Sequence, residues 1–277
     1  MFLIKLNRIQ EQRTVLPYKL TDEVIMGKTK NIQSLERAFS ILELFEENNR
    51  KMSVKEISLA LGLSKSTVFG LINTLSNLGY LMQDSETLKY NLGFKVLALG
   101  NAVSRNDMLS KVADKCLQPV SDKFQETSLC VIEENGYVVY IAKAESSSSI
   151  VLKTRIGTKK ELYCTGVGKC YLAFMPQEKS EEILSRGLET KTENTITSIE
   201  KMRVELDFIR KNGYAVDNEE YETGISCVAV PVFGRGREII SAISLTGPVF
   251  RIKELDLDIV VDSLKEAADN IRKKLMV

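Results

Sequence analysis

The sequence predicts an α+β protein of two domains: a helical N-terminal domain that ends in a short strand pair, and a longer C-terminal domain built around a mainly antiparallel sheet. Its 277 residues, of which 44% are hydrophobic and 27% charged, are more than one small core requires. Apolar residues recur at helical spacing as far as residue 78, whereas short apolar runs separated by turn residues dominate after residue 127. Helices followed by strands favour α+β over the regular alternation of an α/β fold.

Residues 31–93 are predicted to form the first domain, which begins with three helices. The first has an apolar face that consists of Leu35, Ala38, Phe39, Leu42 and Phe45. The second begins at Ser53, because Ser53 and Glu56 have the spacing of a capping box, and it ends at Gly62. The third is capped by Ser64, and its apolar residues are Val68, Leu71, Ile72, Leu75 and Leu78.

A strand pair completes this domain. The segment YLMQ after Gly79, the polar turn DSET and the alternating LKYNL predict a two-stranded ribbon that closes at Gly93. Two helices joined by a tight turn and followed by such a ribbon form a winged helix-turn-helix. Residues 1–30 show no clear hydrophobic period, and we expect them to be an extension that is either disordered or outside the native translated chain.

A linker helix is predicted over residues 94–106, from the apolar period of Phe94, Leu97, Ala98 and Ala102. Residues 107–277 then form the second domain, which opens with a helical pattern that Pro119 interrupts. Its strands are indicated by SLCVIEE, the turn Asn135-Gly136, YVVYIAKAE, IVLKTR, YAVDNE, ISCVAVPVF and EIISAISLTG. Further helices are predicted at 166–175, from 177, near 198–212 and from 254.

The composition excludes several chemistries. Histidine is absent, which removes Ser-His-Asp and Cys-His nucleophiles and most zinc sites, and Cys164 with Cys170 alone makes a weak metal site. We therefore expect no metal and no cofactor. The five cysteines are odd in number and lie in apolar contexts, which is typical of reduced thiols in the cytoplasm rather than of disulfides. No apolar run approaches the ~18 residues that span a bilayer, so we expect no membrane partner.

The outward face of the third helix carries the residue types that contact DNA. The N-terminal half of this helix is the part that a helix-turn-helix presents to the major groove. Asn73 has the donor and acceptor that pair with adenine, and Lys65 reaches guanine or phosphate. Side-chain hydroxyls beside the helix N-terminus anchor phosphates, and a wing lysine reaches the DNA backbone. The predicted contact residues are Ser64, Lys65, Ser66, Thr67, Phe69, Gly70, Asn73 and Lys89.

Alternatives remain open for this domain. The 38 Lys and Arg of the chain balance its 37 Asp and Glu, so any DNA affinity comes from a local surface rather than from the net charge of +1. Over residues 28–100 there are nine Lys and Arg against seven Asp and Glu, a surplus of only two. A helical hairpin with a ribbon also serves for protein contacts, and Phe69 is either buried or a contact for a thymine methyl group. The groove geometry favours double-stranded DNA as the partner.

A second site is indicated where Thr165, Gly166, Val167 and Gly168 open a helix with small residues. Free backbone N–H groups at a helix N-terminus favour an anion such as a carboxylate. A tight loop-to-helix turn without any ligand uses glycine equally well. These residues alone leave both interpretations open.

Together these motifs resemble the IclR family of bacterial transcription regulators. The most diagnostic part is SKSTV at the start of the third helix, LGY at its end and a wing that closes on LG. The resemblance continues through IGTKKELYCTGVGKCYLA, GYAVDNEEYETGISCVAVPVF and AISLTGP, so it covers nearly everything after residue 30. The chain departs from the family pattern at Phe69 and Gly70, where polar or basic residues are common, and at Cys164, where histidine is common.

The resemblance implies that the second domain is a GAF/PAS-like effector-binding domain, with its pocket between the helix start and the sheet. Matching motifs assign to the effector the residues Cys164, Gly166, Val167, Gly168, Asp217, Cys227, Ser244 and Thr246. Taken singly, Asp217 is better explained as a turn residue bound by backbone amides, and Cys227 as a core residue; only their convergence would make a site. The resemblance further implies a homodimer or homotetramer that represses a catabolic operon and whose operator binding is modulated by a small carboxylate, an organic or sugar acid.

An enzyme is the alternative from another class. Its nucleophile would be Cys164, Cys170 or Cys227, with Asp217 or Lys169 assisting. Without histidine such a thiol lacks its usual activating partner, so we assign no catalytic residue and expect no enzyme.

Overall fold

The computed structural model describes residues 31–106, 108–145 and 154–275. The chain divides into two compact units, one that ends at Leu97 and one that begins at Ala98. Each unit has a hydrophobic core of its own. The predicted extension, residues 1–30, and most of the predicted strand IVLKTR lie outside the described residues.

Three helices and a two-stranded ribbon form the body of the N-terminal unit. Their bounds are α1 Gln33–Asn48, α2 Val54–Leu61, α3 Lys65–Asn77, β1 Leu81–Gln83 and β2 Tyr90–Leu92. The predicted helix ends are confirmed, because Ser53 and Glu56 form a capping box, Gly62 ends α2 in the left-handed conformation and Ser64 caps α3. The residues buried between these elements include Ile41, Phe45, Ile57, Val68, Ile72 and Leu75.

The predicted wing is present as the antiparallel pair β1–β2, in which Gln83 lies opposite Tyr90. Asp84 closes its turn by accepting a hydrogen bond of 2.8 Å from the backbone N–H of Thr87. Tyr90 also exchanges backbone hydrogen bonds of 2.8 and 2.9 Å with Met52, which lies just before α2. The wing is thereby attached to the start of the helix-turn-helix.

The apolar faces of α1 and α3 differ in part from the sequence prediction. Phe45 is buried as predicted, but Leu35 and Phe39 are exposed, and the prediction omits the fully buried Ile41. Helical spacing in α1 allows two overlapping apolar stripes, and packing selects the one that contains Ile41 and Phe45. Leu78 is also exposed, since it is the C-cap where α3 ends.

Two helices follow the wing, α4 Phe94–Asn106 and α5 Met108–Phe124. Pro119 lies inside α5, so the predicted interruption is wrong. Its neighbours Leu117 and Val120 are buried in the core of the C-terminal unit. This packing outweighs the intrahelical hydrogen bond that proline cannot donate.

The C-terminal unit is built on a six-stranded antiparallel sheet with the strand order β5-β4-β3-β8-β7-β6. The strands are β3 Thr127–Glu134, β4 Tyr137–Ala144, β5 Lys159–Glu161, β6 Ala215–Asn218, β7 Ile225–Phe233 and β8 Ile239–Pro248. The β3–β4 hairpin turns at Asn135 and Gly136, both with positive φ, as the predicted Asn-Gly turn requires. The expected α+β class is confirmed.

Helices cover both faces of this sheet, so that two separate cores flank it. On one face lie α6 Gly166–Phe174, α7 Gln177–Ser185 and α8 Ile199–Asn212, and on the other α5 and α10 Leu257–Leu275. A short helix, α9 Val249–Glu254, separates β8 from α10, so the closing helix begins three residues after the predicted position. Of the helices in the described residues, none combines the length and apolarity needed to cross a membrane.

Candidate DNA-binding helix and effector cavity

The outward side of α3 is exposed and polar. Lys65, Ser66 and Asn73 are all exposed there. Phe69 is 58% exposed, so it is not a core residue, and among the described residues no atom beyond the adjoining backbone of α3 lies within 4 Å of where a Cβ on Gly70 would stand. This face presents an ammonium, a hydroxyl, an amide and one aromatic ring to solvent, with space for another molecule beside them.

The start of α3 is fixed by its own hydroxyl groups. Ser64 Oγ accepts a hydrogen bond of 3.2 Å from the backbone N–H of Thr67 and lies 2.9 Å from the hydroxyl oxygens of Ser66 and Thr67. Ser64 is therefore a cap, and the exposed Lys65 and Ser66 lie beside it at the positive end of the helix dipole. A phosphate group binds favourably at such a position.

Lys89 in the wing already has an acidic partner. Its Nζ lies 3.4 Å from Glu56 Oε2, and the same carboxylate binds Arg50 at 2.6 Å. The Arg50 guanidinium holds the pKa of Glu56 well below its usual range, so this carboxylate stays charged. Lys51 is paired in a similar way with Asp84 in the wing turn. A phosphate that binds Lys89 competes with Glu56 for it.

A cavity of 390 Å³ lies in the C-terminal unit, between the start of α6, the β6–β7 connection and the sheet. That volume is within the range of small-molecule sites. Five of the eight residues predicted for the effector line it, namely Val167, Asp217, Cys227, Ser244 and Thr246. The other three, Cys164, Gly166 and Gly168, are buried beside α6 but do not line the cavity.

Strand register explains why residues far apart in sequence meet in this cavity. Asp217 on β6 lies opposite Cys227 on β7, and Cys227 lies opposite Thr246 on β8. Ser244 precedes Thr246 by two residues, so it is on the same face, and their hydroxyl oxygens are 3.1 Å apart. The sheet thus aligns an acid, a thiol and two hydroxyls in one row.

Asp217 is the buried acid of the cavity. One of its carboxylate oxygens accepts a hydrogen bond of 2.7 Å from the backbone N–H of Glu220. Burial raises the pKa of Asp217 to about 7, against the opposing effect of that hydrogen bond. Near neutral pH the side chain is therefore present both as a hydrogen-bond donor and as an acceptor.

The small residues at the start of α6 are needed for packing. A Cβ on Gly168 would stand 2.2 Å from the backbone oxygen of Leu162, and one on Gly166 would stand 2.8 Å from Cys227 Sγ. The Gly168 N–H donates to Thr165 Oγ1 at 3.2 Å. Close packing accounts for both glycines without a ligand.

Aromatic and basic side chains that sequence reasoning missed complete the cavity. They are Tyr140, Tyr221 and Lys160, together with the acidic Glu222, and the Lys160 ammonium lies 4.0 Å from the centre of the Tyr221 ring. Lys160 is in the edge strand β5, which is too short for a clear alternating pattern. The sequence signal that Lys160 faces the same side of the strand as a core residue is its position two residues before the apolar Leu162, and that signal is weak.

A buried ion network lies beneath the cavity and was also missed. Lys169 on α6 is 1% exposed, and its Nζ lies 2.5 Å from Glu220 Oε1, 2.9 Å from Glu205 Oε1 and 2.7 Å from the carbonyl oxygen of Val216. The two carboxylates raise the pKa of Lys169 despite its burial. This lysine therefore joins α6 to α8, to the strand β6 that carries Asp217 and to the β6–β7 connection that carries Glu220.

The thiols are not arranged for catalysis. Burial raises the pKa of Cys164 and of Cys227 to about 12, and it raises the pKa of Cys170 as well. A nucleophilic cysteine requires the opposite shift. Lys169 is held by its two glutamates, so it is not available as a base. Within the described residues, no cluster of Cys, Asp and Glu side chains is suited to a metal ion.

Comparison with known proteins agrees with this architecture. Residues 34–85 match the family described as the IclR helix-turn-helix domain, and residues 101–273 match the bacterial transcriptional regulator IclR C-terminal family. The chain is 36% identical to the HTH-type transcriptional regulator KdgR of Escherichia coli over 248 residues, which are 88% of this chain and 93% of KdgR. It is 34% identical to the regulator XynR of the same species, covering 85% and 94% of the two chains.

A solved structure shows the same fold. The crystal structure of Thermotoga maritima IclR superposes with a TM-score of 0.75 at 34% identity, covering 87% of this chain and 98% of that one. These relatives are transcriptional regulators, so this chain is a DNA-binding regulator and not an enzyme. The two matching domains and the relatives together place the chain in the IclR family of bacterial transcriptional regulators.

Proposed function

We propose that this protein represses a catabolic operon and that a small organic or sugar acid, bound in the C-terminal cavity, changes its affinity for the operator. The observation that carries the proposal is the cavity itself, which brings Asp217, Cys227, Ser244 and Thr246 together from three strands. Several relatives are named repressors, among them AllR of Klebsiella pneumoniae at 29% identity. An operator is chromosomal DNA, so we expect the protein to act in the cytoplasm.

In this proposal α3 enters the major groove of double-stranded DNA. Asn73 contacts a base edge, and Lys65, Ser66 and Thr67 hold phosphates at the helix start. Phe69 and Gly70 lie between them on the exposed face, where the ring meets a thymine methyl group and the glycine allows close approach. Lys89 adds a wing contact to the backbone once it leaves Glu56.

One recognition helix reads only half of a pseudo-palindromic operator, so we propose that a second copy of the chain binds the other half. Exposed apolar side chains on α1 and on the first turn of α4 favour this partner. They are Ile32, Leu35, Phe39, Phe94 and Leu97, each more than half exposed. Apolar side chains of this number are seldom left in water, and a second copy that covers them forms a homodimer, which pairs into a tetramer through its C-terminal domains.

The effector acts by linkage. An acid that binds the cavity equally well in the DNA-bound and the free protein changes nothing, so it must prefer one of the two. A coupling of about 1–3 kcal/mol, typical of such systems, changes operator affinity by roughly 5- to 150-fold.

The test is binding of the purified protein to DNA upstream of its own gene and neighbouring operons, measured by fluorescence anisotropy over a salt series, with and without small carboxylic acids. We expect tight, sequence-selective and salt-sensitive binding that one acid alters. Scrambled DNA of equal length is the control. Weak, non-selective binding in every condition would show that the operator proposal is wrong.

A further inference from the structure

Lys160 is the one basic residue among the described residues that line the cavity. It is the middle residue of β5, and its neighbours Lys159 and Glu161 alternate with it along the strand. Those neighbours form ion pairs of 2.5 Å with Glu134 and 2.7 Å with Lys191. Lys160 forms no ion pair with any described residue, so its charge is not balanced by direct contact.

Two aromatic rings hold the Lys160 side chain instead. Its Nζ lies 4.0 Å from the centre of the Tyr221 ring and 5.7 Å from that of Tyr140. Ring faces attract a cation but accept none of the three strong hydrogen bonds that an ammonium donates. Burial lowers the pKa of Lys160, and the nearby charges of Glu222 and Asp217 only partly oppose this effect. The ammonium is therefore half-buried and, among the described residues, contacts ring faces rather than a hydrogen-bond acceptor.

The alternative anion site at the start of α6 is already occupied by the protein itself. Of its first three residues, Gly168 donates its backbone N–H to Thr165, and Gly166 packs closely against Cys227. Val167 alone of the three lines the cavity. The helix start therefore offers far less to a carboxylate than its glycine-rich sequence indicates.

From this geometry we infer that Lys160, held between Tyr221 and Tyr140, is the group that binds the carboxylate of the effector. This inference rests on the proposed function, since it takes the cavity to be the effector site. A ligand carboxylate supplies both the acceptor and the counter-charge that Lys160 lacks. The opposite end of the ligand then meets Asp217, Ser244 and Thr246, which suits a hydroxyl or keto group.

The effector class that follows is a small monocarboxylate with a hydroxyl or keto group on the carbon chain or ring away from the acid. A neutral sugar lacks the charge that Lys160 requires. A dicarboxylate would place its second charge near Asp217, whose own burial already disfavours a negative charge there.

The experiment compares acids with their uncharged amides on the full-length protein. Gluconate and 4-hydroxybenzoate, with gluconamide and 4-hydroxybenzamide, are screened by thermal shift, and Kd values are measured by calorimetry. The variants are Lys160→Met and Lys160→Arg, and Lys159→Met is the matched control on the same strand. Lys160→Met removes the charge and keeps the length of the side chain, and its melting temperature without ligand tests whether it folds.

We expect an acid that binds the wild-type protein to bind Lys160→Met about 30-fold more weakly or worse, and the wild-type protein to prefer that acid over its amide by a similar factor. Lys160→Met should bind the acid and the amide alike, Lys160→Arg should restore the preference, and Lys159→Met should behave as wild type. If Lys160→Met keeps the preference for the acid, the inference about Lys160 is wrong while the effector proposal stands. If no acid binds the wild-type protein, both are wrong.

Discussion

The α3 surface and the C-terminal cavity use their polar residues in opposite ways. On α3, exposed side chains such as Lys65 and Asn73 come from one helix and face solvent, so each acts nearly alone. In the cavity, residues from α6 and several strands are buried together, and the charge of one shifts the pKa of another. Substitutions on α3 should therefore change DNA affinity with little effect on folding, whereas substitutions around the cavity should change stability and binding together.

The largest expected effect is at the buried ion network. Lys169→Met removes the buried ammonium that pairs with both Glu205 and Glu220, and we expect the free energy of unfolding to fall by about 3–5 kcal/mol. Lys179→Met, which breaks a partly exposed pair with Glu133, is the control and should cost less than about 1 kcal/mol. The measurement is urea unfolding followed by the near-ultraviolet signal of tyrosine, because six of the nine tyrosines lie after residue 98. Equal losses in the two variants would show that the network is not structural.

The next largest effect depends on pH. The pKa of Asp217 is raised from 3.8 to about 7 by folding, so the folded state binds a proton more tightly than the unfolded state. For this group the free energy of unfolding falls as pH rises from about 4 to about 7 and is level above that range. Asp217→Asn keeps the oxygen that accepts the Glu220 N–H and removes this fall. We expect its stability relative to wild type to rise between about pH 5 and about pH 8 by on the order of 2–3 kcal/mol.

Urea unfolding at the two pH values measures this difference. Asp262→Asn, at an exposed position on α10, is the control and should show no comparable change. A constant difference between Asp217→Asn and wild type would mean that Asp217 is charged in the folded protein over the whole range.

On the α3 surface, Asn73→Ala should weaken operator binding by about 1–3 kcal/mol and relax the preference at one base pair. Lys65→Ala should weaken binding to all sequences and reduce the salt slope by about one. Asn77→Ala, at the C-terminal end of the same exposed helix, serves as the control. Anisotropy titrations with base-substituted operators measure both effects. If these variants also lose as much free energy of unfolding as free energy of DNA binding, α3 side chains do not act on affinity alone and the contrast with the cavity is wrong.

The smallest expected effects are those of alanine substitutions at two glycines, which should change stability in opposite directions. Gly70→Ala meets no neighbouring atom inside an exposed helix, so it should stabilise α3 by about 0.5–1 kcal/mol. Gly168→Ala drives its Cβ into the Leu162 backbone and should destabilise the C-terminal unit by about 1 kcal/mol or more. Hydrogen exchange of the peptides that contain each residue measures both. A gain at both positions would contradict the packing described for α6.

The sequence predicted the fold well where local signals agree with the tertiary structure. The capping box at Ser53, the helix end at Gly62 and the turn at Asn135 and Gly136 are set by neighbouring residues, and all are present. The prediction that Leu35 and Phe39 belong to the packed face of α1 was wrong, because an apolar period alone does not show which of two stripes another element covers. The prediction that Pro119 interrupts the helix was wrong, because the buried residues on both sides of it outweigh the local preference of proline against a helix interior.

The cavity could be predicted only in part. Asp217, Cys227, Ser244 and Thr246 were found because they stand in family motifs, and register then placed them together. Lys160 and Tyr221 stand in the same motifs but carried no separate signal for the effector, and the pairing of β5 with β4 is what brings Lys160 to the site beside Tyr221. Lys169 was considered only as a helper in catalysis, since a lysine in a helix is usually exposed and the two distant glutamates that hold it leave no local signal.

The tight contact between Gly168 and Leu162 has a consequence for redesign of this protein as a biosensor. A library that randomises the α6 start would consist mostly of destabilised members, because any side chain at Gly168 displaces backbone. Cavity side chains such as Tyr221 and Thr246 are outside this contact, so exchanging them changes the cavity surface without displacing the Leu162 backbone. New ligands should be sought by varying those side chains while residues 162–169 are kept constant.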